Sequence, residues 1–170
     1  LPFLLRAFAR IKGVNLVIVG QGPLEVEYLA LAEELGIADR VFFLGQVSNA
    51  ERLALFYGCR CFVLPSVSHA EGFGIAQAEA MACGKPVVST ELGTGTSYVN
   101  QDGVTGFVVP PENSEALANK VERLMQDDEL AAKMGGKGHE RVYGEFTREI
   151  VVDKTIALYE DMLAGRNVAP

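Results

Sequence analysis

The chain has 170 residues, 49% of them hydrophobic, and 22 acidic against 15 basic side chains give it a net charge of -7. That length bounds it to one ordinary domain with a sizeable core. The negative balance excludes nucleic acid and anionic lipid as favoured partners while leaving room for a local phosphate site. No apolar run reaches the length of a bilayer span, and no basic segment followed by an apolar one marks a signal peptide. The chain starts at Leu1 rather than methionine, inside an apolar pattern, which suggests a fragment of a longer polypeptide.

Helical and extended patterns alternate along the first two thirds of the chain. "FLLRAFARIKG" carries apolar residues at helical spacing and predicts a helix stopped by Gly13. "NLVIVG" is a β-branched run and predicts a buried strand; "PLEVEYLALAEELG" predicts a helix with Pro23 in its first turn and Gly36 at its end. "RVFFLG" predicts the next strand. "SNAERLALFYG" opens with Ser48 and has Glu51 three residues on, the signature of a capping box. "CFVLP" predicts a strand closed by Pro65, "GIAQAEAMACG" a helix, and "PVVST" and "TGFVVP" two more extended segments. Three helices follow, "NSEALANKVERLMQ", "DDELAAKMGGKGHERVYGEF" and "TREIVVDKTIALYEDML"; Gly135, Gly136 and Gly138 predict a break in the middle one. The tail "AGRNVAP" is expected to fray.

Strands alternating with helices of this length imply an α/β fold, a parallel sheet with helices on both faces. Ligands of such sheets bind beyond the carboxyl ends of the strands, so the informative loops follow Val19, Leu44, Leu64 and Ser89. Three of the four are glycine-rich: Gly20-Gln21-Gly22, the turn at Gly72-Phe73-Gly74, and "ELGTGTS" from Glu91. Glycine admits a ligand close to backbone N–H groups, and the first N–H groups of a helix have no internal partner. A helix starting near Gly74 or Ile75 could therefore hold a diphosphate with backbone alone.

Two acids flank that turn, Glu71 before it and Glu79 in the helix after it. Their eight-residue spacing corresponds to roughly 12 Å at helical rise, about the reach of a nucleotide sugar from hexose to ribose. Carboxylates suit vicinal hydroxyls because they accept two hydrogen bonds at once. Taken alone, Glu79 reads as a solvated charge on a helix face. Its neighbours Ala76, Ala78, Ala80 and Met81 argue for a less exposed setting.

At these residues the sequence resembles the donor-nucleotide domain of retaining glycosyltransferases of the GT-B fold, in particular family-4 enzymes. The resemblance runs through "VIVGQGP", "FFLGQVSNAERLALFYGC", "FVLPS", "EGFGIAQAEAMACGKPVV" and "DGVTGFVVPPEN", and so covers nearly all of residues 1–170. It implies that Glu71 contacts the donor sugar near the reacting carbon and that Glu79 binds the ribose hydroxyls. Gly72, Phe73, Gly74 and Ile75 would cradle the diphosphate and sugar, Gly20 and Gly22 would form the loop near the nucleotide, and Val47 would lie against the base. The activity implied is transfer of a hexosyl unit from a UDP- or GDP-sugar to an acceptor hydroxyl with retention, without cofactor or metal. "ELGTGTSYVNQDGVTGFVVPP" resembles bacterial enzymes that build surface polysaccharides with mannosyl or related sugars. Thr94, Thr96 and Ser97 there suit either a donor pocket or an exposed turn.

The family's usual first strand, with a glycine-arginine pair and a lysine, would lie before Leu1, as would the N-terminal domain that binds a carbohydrate or lipid-linked acceptor. Lys12 and Lys85 do not read as substitutes for those cations. The strand would sit between "LVIVG" and "CFVLP"; without it the parent polypeptide supplies it, another chain fills the gap, or those two strands close on each other. The chain alone is then expected to be poorly stable or to self-associate. The alternatives are a nucleotide-sugar-binding fragment without activity of its own, or a GT-B nucleotide-sugar epimerase. A dehydrogenase reading fails because Glu25 stands where the third glycine of G-x-G-x-x-G is needed.

Among the remaining residues, Cys59, Cys61 and Cys83 are an odd set without framework spacing, which fits a reducing compartment and small buried thiols. The resemblance sets the protein in the cytoplasm, extending to the inner face of the membrane for the intact protein. Asp127-Asp128-Glu129 reads as helix-start acids rather than a metal site, and His69 and His139 lack the spacing of a zinc site or triad.

Overall fold

The computed structural model describes residues 1–166; part of the tail expected to fray, residues 167–170, lies outside the described residues. Helix α1, Pro2–Phe8, starts on Pro2, a residue suited to the first turn because it lacks an N–H to donate. It buries Leu4, Leu5, Ala7 and Phe8. It stops at Phe8 rather than Gly13, and Arg10 and Ile11 turn back to Ala7 and Phe8 so that Ile11 enters the core. Strand β1, Leu16–Ile18, pairs in parallel with β2, Val41–Phe43, through the residues Leu16↔Val41 and Ile18↔Phe43. Between them α2 covers Glu25–Glu34; Pro23 precedes it rather than lying in its first turn.

Helix α3, Asn49–Gly58, begins with the expected capping box. Ser48 Oγ accepts from the Glu51 N–H at 3.3 Å, and Glu51 Oε2 accepts from the Ser48 N–H at 2.8 Å. The Ser48 hydroxyl, then its backbone N–H, hold the Glu51 carboxyl below its ordinary value of 4.5. A lowered carboxyl stabilises the fold above its unfolded value, and that contribution is lost as pH falls through the lowered folded value. Ser48→Ala is expected to cost about 1 kcal/mol in urea unfolding at neutral pH. The difference from wild type should shrink as the pH falls through the lowered folded value, below which Glu51 is protonated in both states.

The second sheet has the order β3–β4–β5, from β3, Phe62–Leu64, β4, Val87–Thr90, and β5, Gly106–Val109, all parallel. β4 is central and all four of its residues are buried. The fully buried Asn100 ties this sheet together: its Nδ2 donates to Ser89 Oγ at 2.8 Å and to the Phe107 carbonyl at 3.0 Å, and its Oδ1 accepts from the Thr105 hydroxyl. Helix α4, Ile75–Ala82, follows β3, and a short helix α5, Gly95–Val99, lies where the sequence read only a loop.

The sheet is parallel as expected but divided. Among the described residues β1 pairs only with β2, and β3 only with β4, so the strands on either side of the expected gap do not close on each other. One hydrophobic core nevertheless spans both sheets, joining Leu16, Ile18 and Val41 to Val63, Val88 and Phe107 with α1 and α6, Ser114–Gln126. The other face of the β1–β2 pair leaves Val17 and Phe42 exposed.

Helix α7, Asp128–Glu145, runs unbroken through its glycines, contrary to the predicted break. The reason is tertiary. A side chain at Gly135 would overlap the Gly84 carbonyl, and one at Gly138 would press on Met81 at 3.1 Å, so these glycines let α7 lie close against α4. That packing outweighs the weak intrinsic helix preference of glycine. Asp127 caps α7 by accepting from the Leu130 N–H, and Asp128 pairs with Arg60. Helix α8, Arg148–Leu163, buries no residue and displays Val151, Val152, Ile156, Leu158, Tyr159, Met162 and Leu163 to solvent. No helix among the described residues is long and apolar enough to cross a membrane.

Candidate functional site

The four loops beyond the strand ends come together in two pairs. In the first pair the Gly20 N–H donates to the Gly45 carbonyl at 2.8 Å, which binds the Gly20-Gln21-Gly22 loop to the loop carrying Val47. Gly20 has φ +120 and Gly45 φ +62, backbone that disfavours other residues. Gly22 is exposed, and the half-buried Val47 sits immediately before the Ser48 cap of α3.

In the second pair Thr94 Oγ1 donates to the Glu71 carbonyl at 2.9 Å, and Gly95 lies so close to the turn that a side chain there would come within 2.9 Å of the Gly72 carbonyl. Gln77 fastens the two loops from beneath. Its Nε2 donates to the Phe73 carbonyl at 2.9 Å and to the Thr96 carbonyl at 3.0 Å, and the residue is fully buried. Two carbonyl acceptors fix which end of this amide faces them, and its Oε1 is left without a partner. Sequence reasoning missed Gln77; the signal was a polar side chain on the otherwise apolar face of "GIAQAEAMA". The same loop was read as a pocket lining or an exposed turn, but Thr96 is fully buried and Ser97 donates to Glu91. The Gly93 N–H and the Ser97 hydroxyl hold the Glu91 carboxyl below its ordinary value.

Gly74 is the residue before α4 and has φ +74, and a side chain there would collide with Leu64 and Gln77. Its N–H, expected in the diphosphate cradle, instead donates to Glu71 Oε1 at 3.0 Å. Among the described residues the backbone N–H groups of Gly72, Phe73, Ile75 and Ala76 have no protein acceptor. Gly72 and Phe73 are exposed, and Ile75 is 69% exposed. The turn is supported from behind: the Phe73 ring packs edge-on against Phe146 at 5.6 Å, and Phe146 meets Tyr98 and the Arg141 guanidinium. Arg141 in turn donates to the carbonyls of Tyr98 and Val99 in α5.

Glu79 is half-buried, in keeping with its apolar neighbours. Its Oε1 lies 3.2 Å from Arg52 Nη2, a partner on α3 that sequence reasoning did not identify. Arg52 also donates to Asn49 Oδ1 at 3.3 Å. A cavity of about 260 Å³ opens beside this pair between α3 and α4, lined by Leu53, Tyr57, Cys83 and Tyr143 as well as Arg52 and Glu79. Chemically, the loops offer a row of unpaired N–H donors between two carboxylates, suited to an anion carrying hydroxyl groups on both sides.

The other candidates fall outside this arrangement. His69 and His139 are exposed, and His139 stacks on Tyr143. Lys12 is exposed beyond α1, and Lys85 is half-buried in the turn before β4. The three cysteines are free; burial raises all three thiols and pushes Cys61 up to about 12, which leaves it little thiolate at neutral pH. No cluster of three potential metal ligands occurs among the described residues.

Comparison with known proteins gives the family and the fold. Residues 1–141 match the family described as Glycosyl transferases group 1. The O-antigen chain mannosyltransferase C of Escherichia coli is 36% identical over 151 residues, 89% of this chain and 40% of that protein. The D-rhamnosyltransferase WbpZ of Pseudomonas aeruginosa is 41% identical over 131 residues, 77% of this chain and 34% of that protein. The chain thus spans between a third and two fifths of the length of these relatives. Among solved structures, sucrose-phosphate synthase from Thermosynechococcus elongatus superposes with a TM-score of 0.84 at 33% identity, covering 96% of this chain and 42% of that one. Anabaena HepE in complex with UDP-glucose superposes with a TM-score of 0.83 at 27% identity, covering 94% and 44%. The fold is that of the carboxy-terminal, Rossmann-like half of GT-B proteins, and the chain belongs to the glycosyl transferases group 1 family.

Proposed function

We propose that this chain is the donor-binding half of a retaining family-4 glycosyltransferase that moves a hexosyl unit from a nucleotide diphosphate sugar to an acceptor hydroxyl. The observation that carries the reading is the turn at Gly72-Phe73-Gly74, where free N–H groups lie between Glu71 and Glu79. In this reading the N–H groups of Gly72, Phe73, Ile75 and Ala76 hold the diphosphate, aided by the positive end of α4. Glu79 accepts from the ribose hydroxyls, Glu71 faces the sugar, and Gly20, Gly22 and Val47 border the nucleoside. The complex of HepE with UDP-glucose supports a nucleotide-sugar donor, and the O-antigen relative supports a role in bacterial surface polysaccharide synthesis. The acceptor would bind on polypeptide outside residues 1–170.

No step requires a metal in this scheme. The hydrogen bond from the Gly74 N–H fixes one Glu71 oxygen and leaves the other to meet a sugar hydroxyl. Cations to neutralise the departing diphosphate would come from outside the turn, since residues 65–75 contain no lysine or arginine. That lack favours one second reading, a chain that binds nucleotide sugar without turnover of its own. Calorimetric titration with UDP, GDP and their sugars decides the binding step: Glu79→Ala should weaken nucleotide affinity by about tenfold or more, the scale of one lost hydrogen bond to a charged group. Unchanged affinity would remove the assignment of Glu79. Product analysis by NMR with the intact protein should show the donor's anomeric configuration in the product; an epimerised free sugar would exclude transfer.

A further inference from the structure

We infer that Arg52 is a positioning residue for the nucleoside, setting the orientation of Glu79. The inference rests on the reading of Glu79 as the ribose acid. The loops form two pairs, one bordered by Gly20 and Val47 and the other by Glu71 and Gly95, and they spring from two sheets that share no hydrogen bond. A nucleoside that touched Val47 with its base and Glu79 with its ribose would span both pairs, so its ribose hydroxyls would meet a carboxylate whose orientation a side chain from the Val47 side can set.

Arg52 is placed to set that orientation. It lies on α3, one turn after the Ser48 cap and five residues after Val47, and it reaches Asn49 Oδ1 on its own helix and Glu79 Oε1 on α4. Among the described residues it forms the one ion pair that joins α3 to α4. The cavity of about 260 Å³ beside the pair leaves the Glu79 carboxylate without side-chain packing on that side, while Phe56 of α3 shares a buried cluster with Ala80 and Met81 of α4 that sets the spacing of the two helices.

The pair also leaves Glu79 able to work. Arg52 engages Oε1 alone, and a carboxylate has about four acceptor positions, so Oε2 and the remaining lone pair on Oε1 can accept from two hydroxyls. A guanidinium stays charged and reaches further than a lysine ammonium, so Arg52 draws Oε1 toward α3 and biases which way the carboxylate turns. Both side chains are partly exposed, at 44% and 33%, so water screens the attraction and the pair adds little to fold stability. Its effect is on orientation, and a nucleotide without ribose hydroxyls should not sense it.

The test is calorimetry of the intact protein with UDP and GDP and with their 2′,3′-dideoxy analogues. Arg52→Ala should weaken the ribonucleotide that binds by about five- to tenfold, the scale of one hydrogen bond to a charged group, and leave the dideoxy analogue unchanged. Arg52→Lys should recover part of the loss, and its value stands even if the alanine variant folds poorly. The double variant Arg52→Ala/Glu79→Gln should bind no more weakly than Glu79→Gln alone, because the two residues act as a unit. Equal losses for ribo- and dideoxynucleotide, additive losses in the double variant, or no loss at all would each overturn the inference. If Glu79→Gln weakens ribonucleotide selectively and Arg52→Ala does not, only the role of Arg52 falls. If Glu79→Gln does not distinguish the two nucleotides, the ribose reading falls and the role of Arg52 with it.

Discussion

Glu71→Ala in the intact protein is expected to lower turnover by about 100-fold or more, the scale seen when a group acting only at the reacting centre is lost. Nucleotide affinity should change far less. The structure adds a complication that the experiment can resolve. Glu71 also accepts from the Gly74 N–H at 3.0 Å, so the alanine variant loses the support of the turn as well as the carboxylate. Glu71→Gln keeps an acceptor for that N–H while removing the charge. If the carboxylate acts on the sugar, both variants lose turnover. If its role is to hold the turn, glutamine retains activity and alanine loses nucleotide affinity too. Steady-state rates and titrations of the two variants separate these outcomes.

The largest effect on stability is expected from Gly106→Ala. Gly106 pairs with Val87 across β4 and β5, and an added methyl would overlap the Val87 carbonyl. The clash is with backbone, so no rotamer relieves it and the strands must part. Parting them also strains the bonds that Asn100 makes to Ser89 and Phe107 at the centre of the sheet. Urea unfolding should show a loss of about 4 kcal/mol or more, the range reserved for strained and overpacked buried sites. Gly136→Ala is the matching control. It sits in α7 with nothing within 4 Å of the added carbon, and it should stabilise by up to about 1 kcal/mol. Equal effects at the two positions would contradict the packing described here.

The fold was legible where local signals and tertiary environment agree. β-Branched runs gave the strands, Ser48 and Glu51 gave the start of α3, and the glycine turn located the loop before α4. The misreadings share a cause. Gly135 and Gly138 weaken an isolated helix, but against Gly84 and Met81 their lack of a side chain is what permits α7 to approach. The run "GTGTS" looks like loop chemistry, yet contacts from Gln77, Arg141 and Glu71 hold it as α5. At the candidate site the glycine turn and the two glutamates that flank it were visible in the sequence as a combination, with the apolar neighbours of Glu79 as the further signal. Arg52 and Gln77 could not, because each acts through a partner remote in sequence, 27 residues away for Glu79 and 19 for Thr96.

Helix α8 has a consequence for how this protein would melt. None of its residues is buried, and its recorded backbone and side-chain bonds are local. Denaturant sensitivity and unfolding heat capacity scale with the surface newly wetted on unfolding. A segment already bathed in water adds little to either. The cooperative transition therefore belongs to the residues before Thr147, and α8 is a passenger whose helix content can vanish without moving the midpoint of the rest.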